Sequence, residues 1–120
     1  MGELLDGKNS YEITFPADMP VNYDLGGFWS LTMYDALDRF MVENEIDRYK
    51  IASNTDNLIY NKDGSLTVYI SFERPVDPEK LSNWLPAPDD KFMLQVRMYE
   101  PKPVVYEGSF DLPELKKVNN

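Results

Sequence analysis

The sequence predicts a mainly β fold, an antiparallel β-sandwich or jelly-roll-like sheet with one or two short helical turns. Three observations carry this expectation. At least five short segments alternate apolar and polar residues, the pattern of strands with one face buried. Turn-forming Asn, Asp, Gly and Pro separate them. No stretch sustains the period of about 3.6 residues that an amphipathic helix needs, and no internal repeat is present. A chain of 120 residues suits one hydrophobic core, so residues 1–120 are expected to form a single domain with its core in about 11–113.

Residues 11–15 set Tyr11, Ile13 and Phe15 against Glu12 and Thr14, and Pro16, which lacks the donor a ladder needs, ends this first strand. A loop through Asp18, Pro20, Gly26 and Gly27 leads to a second strand at 28–34. There Trp29, Leu31 and Met33 share one face, and Phe28, Ser30, Thr32 and Tyr34 the other. A turn at 35–38 precedes a short strand at 40–42, and 43–57 reads as a polar loop with a short strand at 49–52. Residues 58–60 and 66–72 flank 61–65, where Asp63-Gly64 signals a hairpin because glycine accepts positive φ without steric cost. Leu66, Val68, Ile70 and Phe72 face one way, Thr67, Tyr69 and Ser71 the other.

Residues 75–81 accommodate one helical turn starting near Asp77, with Pro78 at its first position. Trp84 then sits between Asn83 and Leu85 ahead of Pro86 and Pro88, a rigid loop feeding a strand at 92–99 that Pro101 stops. Phe92, Leu94, Val96 and Met98 share its core face, opposite Met93, Gln95, Arg97 and Tyr99. Residues 104–106 are expected as an edge strand, and 116–120 as a polar tail.

Composition narrows the function classes. Hydrophobic residues make up 42% of the chain and include 6 Phe, 8 Tyr and 2 Trp, enough to fill a core and to argue against disorder. Lys and Arg number 12 against 21 Asp and Glu, a net charge of -9 that repels phosphate backbones, so neither nucleic acid nor an anionic membrane is an expected partner. The absence of Cys and His removes disulfides, thiolate nucleophiles, the commonest general base and the commonest transition-metal ligand. Met1 and the acidic residues after it lack the basic-then-apolar pattern of a signal peptide, and no apolar run reaches transmembrane length. As written the chain reads as soluble and cytoplasmic, or as exported if excised from a longer precursor.

Five motifs carry a family resemblance. They are residues 28–35 (Phe28 through Asp35), Asn44 with Ile46-Asp47-Arg48-Tyr49, Tyr60-Asn61 with Asp63-Gly64-Ser65-Leu66-Thr67 and Tyr69-Ile70, the run 82–88, and Arg97-Met98-Tyr99 with Pro101-Lys102-Pro103. In this order they resemble the family called domain of unknown function 1214, over about residues 11–113. The resemblance implies a β-sandwich domain that commonly lies at the C-terminal end of longer bacterial proteins, behind another uncharacterised domain. It implies no established reaction. The chain as written shows neither an upstream domain nor an export signal.

Candidate site residues come from two places. If the three strands at 28–34, 66–72 and 92–99 lie side by side, Ser30, Thr32, Tyr34, Thr67, Tyr69, Ser71, Gln95, Arg97 and Tyr99 form one polar face. Tyr34, Tyr69, Arg97 and Tyr99 would then supply stacking area and directional donors for a sugar or polar small molecule. The bland reading is cross-strand pairing by residues that are simply good strand formers. Asp47 and Arg48 either clamp an anionic ligand or hold their loop by an ion pair or a strand-end hydrogen bond. Trp84 is either an aromatic platform at a site mouth or a loop anchor packed against the prolines and the sheet.

Asp35, Asp38, Glu43, Glu45 and Asp47 lie close in sequence, yet nothing shows the fixed separation and the buried neutral acid that a glycosidase pair needs. Residues 54–57 and 61–64 lack the spacing and terminal glutamate of a calcium hand, and Gly26-Gly27 precedes a strand and not a phosphate-binding helix. No catalytic residue, metal ligand or cofactor is therefore assigned. The leading expectation is a non-catalytic module that contacts a protein partner, a companion domain or a second copy of itself. A small-ligand or glycan site on the Tyr/Arg face is the alternative, and a carboxylate-based hydrolase or lyase ranks last.

Overall fold

The eight strands found among the described residues sort into two four-stranded sheets that share one core. The computed structural model describes residues 4–36, 44, 46 and 48–118. In chain order the strands are β1 (Leu5–Asp6), β2 (Ser10–Phe15), β3 (Phe28–Asp35), β4 (Lys50–Ala52), β5 (Leu66–Ser71), β6 (Trp84–Pro86), β7 (Lys91–Tyr99) and β8 (Lys116–Val118). Two short helices, α1 (Pro78–Ser82) and α2 (Pro103–Tyr106), accompany them. One sheet runs β1-β7-β3-β4 and the other β6-β5-β2-β8.

Alternation decides what each strand buries. Trp29, Leu31 and Met33 of β3 and Phe92 and Leu94 of β7 meet Ile13 and Phe15 of β2 and Leu66, Val68 and Ile70 of β5. Burying each such side chain contributes about 1.5–3 kcal/mol. Two aromatic pairs tie the core at the two ends of β2: Phe15 stacks on Trp29 with centroids 4.1 Å apart, and Tyr11 meets Phe92 edge-on at 6.0 Å.

The mainly β expectation holds, and so does the helical turn at Pro78, where the Asp77 side chain caps α1 by accepting from the Glu79 N–H at 3.0 Å. Several local readings need correction, among them residues 84–86, expected in a rigid loop and found as β6. The second sheet is mixed, because β5 and β6 pair in parallel; residues 72–83, which include α1, form the crossover that parallel neighbours require. Residues 58–60 form no strand, although the turn at 61–65 closes with Gly64 at φ +86° and Asn61 N–H bonded to the Ser65 carbonyl.

Residues 104–106 belong to α2 and not to an edge strand, because Pro103 presets the first helical φ and the Glu107 N–H reaches back to the Pro103 carbonyl at 2.9 Å. Residues 116–118 are β8, paired with β2 through backbone bonds that their polar side chains do not reveal; two lysines guard this edge. Near the N-terminus, β1 adds to β7 and was not expected from the sequence. The expected strand at 40–42 lies outside the described residues. No helix among the described residues is long and apolar enough to cross a membrane.

Candidate functional site

The face drawn from sequence divides between the two sheets. β3 and β7 are neighbours, but β5 belongs to the opposite sheet, so Tyr69 lies on one outer surface and Tyr34, Arg97 and Tyr99 on the other. On the first sheet the register sets Phe28 beside Tyr99, and their rings stack at 4.3 Å. Ser30 and Thr32 lie opposite Arg97 and Gln95 and are buried, and the Arg97 guanidinium donates to Gln95 Oε1 at 3.2 Å. The Phe28–Tyr99 stack crosses between β3 and β7, whereas the Arg97–Gln95 bond runs along β7.

Trp84 and Arg48 are joined by geometry that the sequence did not reveal. Trp84 is fully buried on edge strand β6, and its indole N–H donates to the Ser71 carbonyl at 2.9 Å. Arg48 Nη1 donates to the carbonyls of Ser82 at 2.8 Å and Trp84 at 3.0 Å. The guanidinium thus takes up main-chain acceptors at the start of β6, and burial lowers its pKa. Asn44 shapes the loop behind it: Nδ2 donates to the Arg48 carbonyl at 2.7 Å, and Oδ1 accepts from the Arg48 N–H at 3.0 Å. Asp47 lies outside the described residues.

Asn83 is a second organiser that sequence reading passed over. Its buried amide donates to the Ile59 and Thr67 carbonyls at 2.7 and 2.9 Å and accepts from the Ile59 N–H at 2.9 Å. The side chain imitates a strand partner for Ile59, which accounts for a segment at 58–60 that sits against the sheet without joining its ladder. A polar residue directly before a buried Trp-Leu pair was the available signal.

Tyr69 opens onto a cleft of about 280 Å³ on the outer surface of the second sheet. Register places Glu12 next to Tyr69, Lys116 beyond Glu12, and Trp84 on the other side. Residues 73–77 and Lys80 form the opposite wall, and Lys80 Nζ stands 5.4 Å from the centre of the Tyr69 ring, a cation–π contact. Burial raises the Tyr69 pKa, and the carboxylates of Glu12, Asp77 and Glu79 raise it further. The phenol therefore stays protonated at neutral pH and offers a donor and a ring face, not a base. Val76 on the cleft wall is wholly exposed, and Phe72, just before this segment, is 52% exposed. Among the described residues no group of three or more Asp or Glu side chains is placed to hold a metal ion.

A family model described as a protein of unknown function (DUF1214) matches residues 1–103. The crystal structure of the VPA0106 protein from Vibrio parahaemolyticus is similar at 30% sequence identity and a TM-score of 0.80, over 96% of this chain and 27% of that one. This chain therefore spans about a quarter of the length of that relative. No curated protein matches.

Proposed function

The chain belongs to the DUF1214 family, and from that premise we propose that it is a non-catalytic β-sandwich module whose cleft beside Tyr69 binds a companion protein domain. The observation that carries this reading is Val76, an apolar side chain held wholly in water on the wall of a cleft that also offers an aromatic ring. A partner covering Val76 would recover about 1.5–3 kcal/mol. Around it stand Glu12, Glu73 and Asp77 against Arg74 and Lys80, an apolar centre with a charged margin of both signs, which is the anatomy of a protein interface. The similar Vibrio protein is consistent with this, since its matching region is 27% of a longer chain.

The test is co-purification from the native host of the tagged chain and of its Val76→Asp variant, each first shown to melt at the same temperature. The expected result is a stoichiometric protein partner, or a second copy of the chain, retained by the native sequence and lost from the variant. A monomer that retains no protein, or retention unaffected by Val76→Asp, refutes the proposal.

A further inference from the structure

At the end of the sandwich where β2 stops and β5 begins, a cavity of about 230 Å³ opens between the two sheets. Buried Phe15, Trp29 and Leu66 form its inner wall, and Tyr23 and Tyr60, each about half exposed, stand at its mouth with Ser53. The rest of the wall is proline, alanine and glycine. No lining residue carries a charge, in a chain of which 28% of residues are charged. None of these residues belongs to the cleft beside Tyr69.

The polar groups here are hydroxyls. Ser53 Oγ accepts from the Trp29 main-chain N–H at 3.2 Å, and the Tyr23 and Tyr60 phenols line the same cavity. Burial raises the Tyr23 pKa, so this phenol is neutral at physiological pH. Each hydroxyl both donates and accepts, which suits a ligand that does the same.

We propose that this cavity binds a neutral, hydroxyl-bearing ring, chemically a single pyranose unit, either free or at the end of a glycan. A charged ligand would be desolvated here without a counter-charge. The apolar face of a pyranose packs on tyrosine rings while its hydroxyls exchange hydrogen bonds with Ser53, Tyr23 and Tyr60. The volume is below the range of about 300–1,000 Å³ that holds drug-sized ligands, so one ring is the unit admitted. A quaternary ammonium is the competing occupant of an aromatic pocket, but it needs ring faces around it. Phe15 and Trp29 stack on each other at 4.1 Å, so each has one ring face taken up within the pair, while Ser53 offers a hydroxyl that a pyranose can use and a quaternary ammonium cannot.

The test is a titration of isotope-labelled chain, followed by NMR, with methyl glucoside, methyl galactoside, methyl mannoside, N-acetylglucosamine, their β-linked oligomers and choline. A sugar is expected to shift the amides of Tyr23, Ser53, Tyr60 and Gly64 and the Trp29 indole signal in a saturable way. Tyr60→Ala should weaken that binding about tenfold. Tyr23→Phe, which keeps the ring and drops the hydroxyl, should weaken it several-fold without loss of folding. Tighter binding of the oligomer identifies a glycan end, and equal affinity a free sugar; both support the proposal. No saturable shift with any sugar, shifts with choline alone, or sugar shifts untouched by both variants overturns it.

Discussion

Replacing Asn83 by leucine, a side chain of similar size, is expected to cost the fold about 4 kcal/mol. The Asn83 side chain makes three hydrogen bonds to main-chain groups of Ile59 and Thr67, all between 2.7 and 2.9 Å, at a residue only 3% exposed. Leucine removes all three. The Thr67 carbonyl, in β5 beneath the side chain, is left without that donor, and an orphaned buried acceptor costs about 1–3 kcal/mol. Ile59 is 41% exposed, so its N–H and C=O regain water and forfeit only the net value of each bond, about 0.5–1.5 kcal/mol. The combined loss is a large share of a total stability of about 5–15 kcal/mol.

Urea unfolding followed by the fluorescence of Trp29 and Trp84, both buried, measures it by linear extrapolation. A loss below about 1 kcal/mol would show that Asn83 does not hold the 58–60 segment, and the account of that segment would fall. Asn83→Asp supplies a check on sign. The carboxylate still accepts from the Ile59 N–H but faces two carbonyls with no donor, so its folded-state pKa is raised. The deficit is then largest at neutral pH and shrinks as the group takes up a proton.

Three further outcomes are expected. Trp84→Ala should destabilise by about 3–5 kcal/mol, since it empties a fully buried site and removes the indole donor to the Ser71 carbonyl, which keeps only the Ala87 N–H; an unchanged melting temperature would show that the ring is no anchor. Arg48→Met keeps the aliphatic stem and removes the donors to Ser82 and Trp84. It should cost about 2 kcal/mol and speed amide exchange selectively around β6, and exchange that quickens evenly across the chain would contradict that assignment. The Asp63 carboxylate accepts from the Ser65 hydroxyl at 2.6 Å and the Ser65 N–H at 2.9 Å, which hold its pKa below the ordinary aspartate value. A depressed folded pKa gives stability that is present above the unfolded value and lost as pH falls through the folded one. The protection of the Ser65 amide, its exchange rate compared with the intrinsic rate at each pH, should therefore fall on acidification past that range, and Asp63→Asn should flatten the response.

Much of the sandwich was legible in the residues. Period-two alternation in β2, β3, β5 and β7 named nearly every inward side chain, because burying one face of a strand demands that pattern whatever the sheet order. The cap at Asp77 and the turn at Gly64 were legible too, since each depends on chemistry within a few residues. The misreadings share a cause. β1 and β8 are held by main-chain bonds to distant strands, and their own side chains show no alternation to detect. The helix α2 holds Val104, Val105 and Tyr106, which favour strands, while Pro103 before them and Gly108 after them, at φ +78°, frame a helical turn.

Local pattern and composition, then, were sufficient for the class of fold, the core and the exclusion of thiol and imidazole chemistry, because each follows from residue type and spacing alone. Which strands are neighbours was not contained in them. Tyr69 and Arg97 alternate in the same way on similar strands, and nothing within either segment records that β5 pairs with β2 and β6 while β7 pairs with β1 and β3. Pairing is settled by how two faces, their connections and buried polar groups such as Asn83 and Arg48 are satisfied together. The assembled structure therefore separated the polar face expected from sequence, placed the Tyr69 cleft on one sheet, and brought Tyr23 to one cavity with the distant Ser53 and Tyr60.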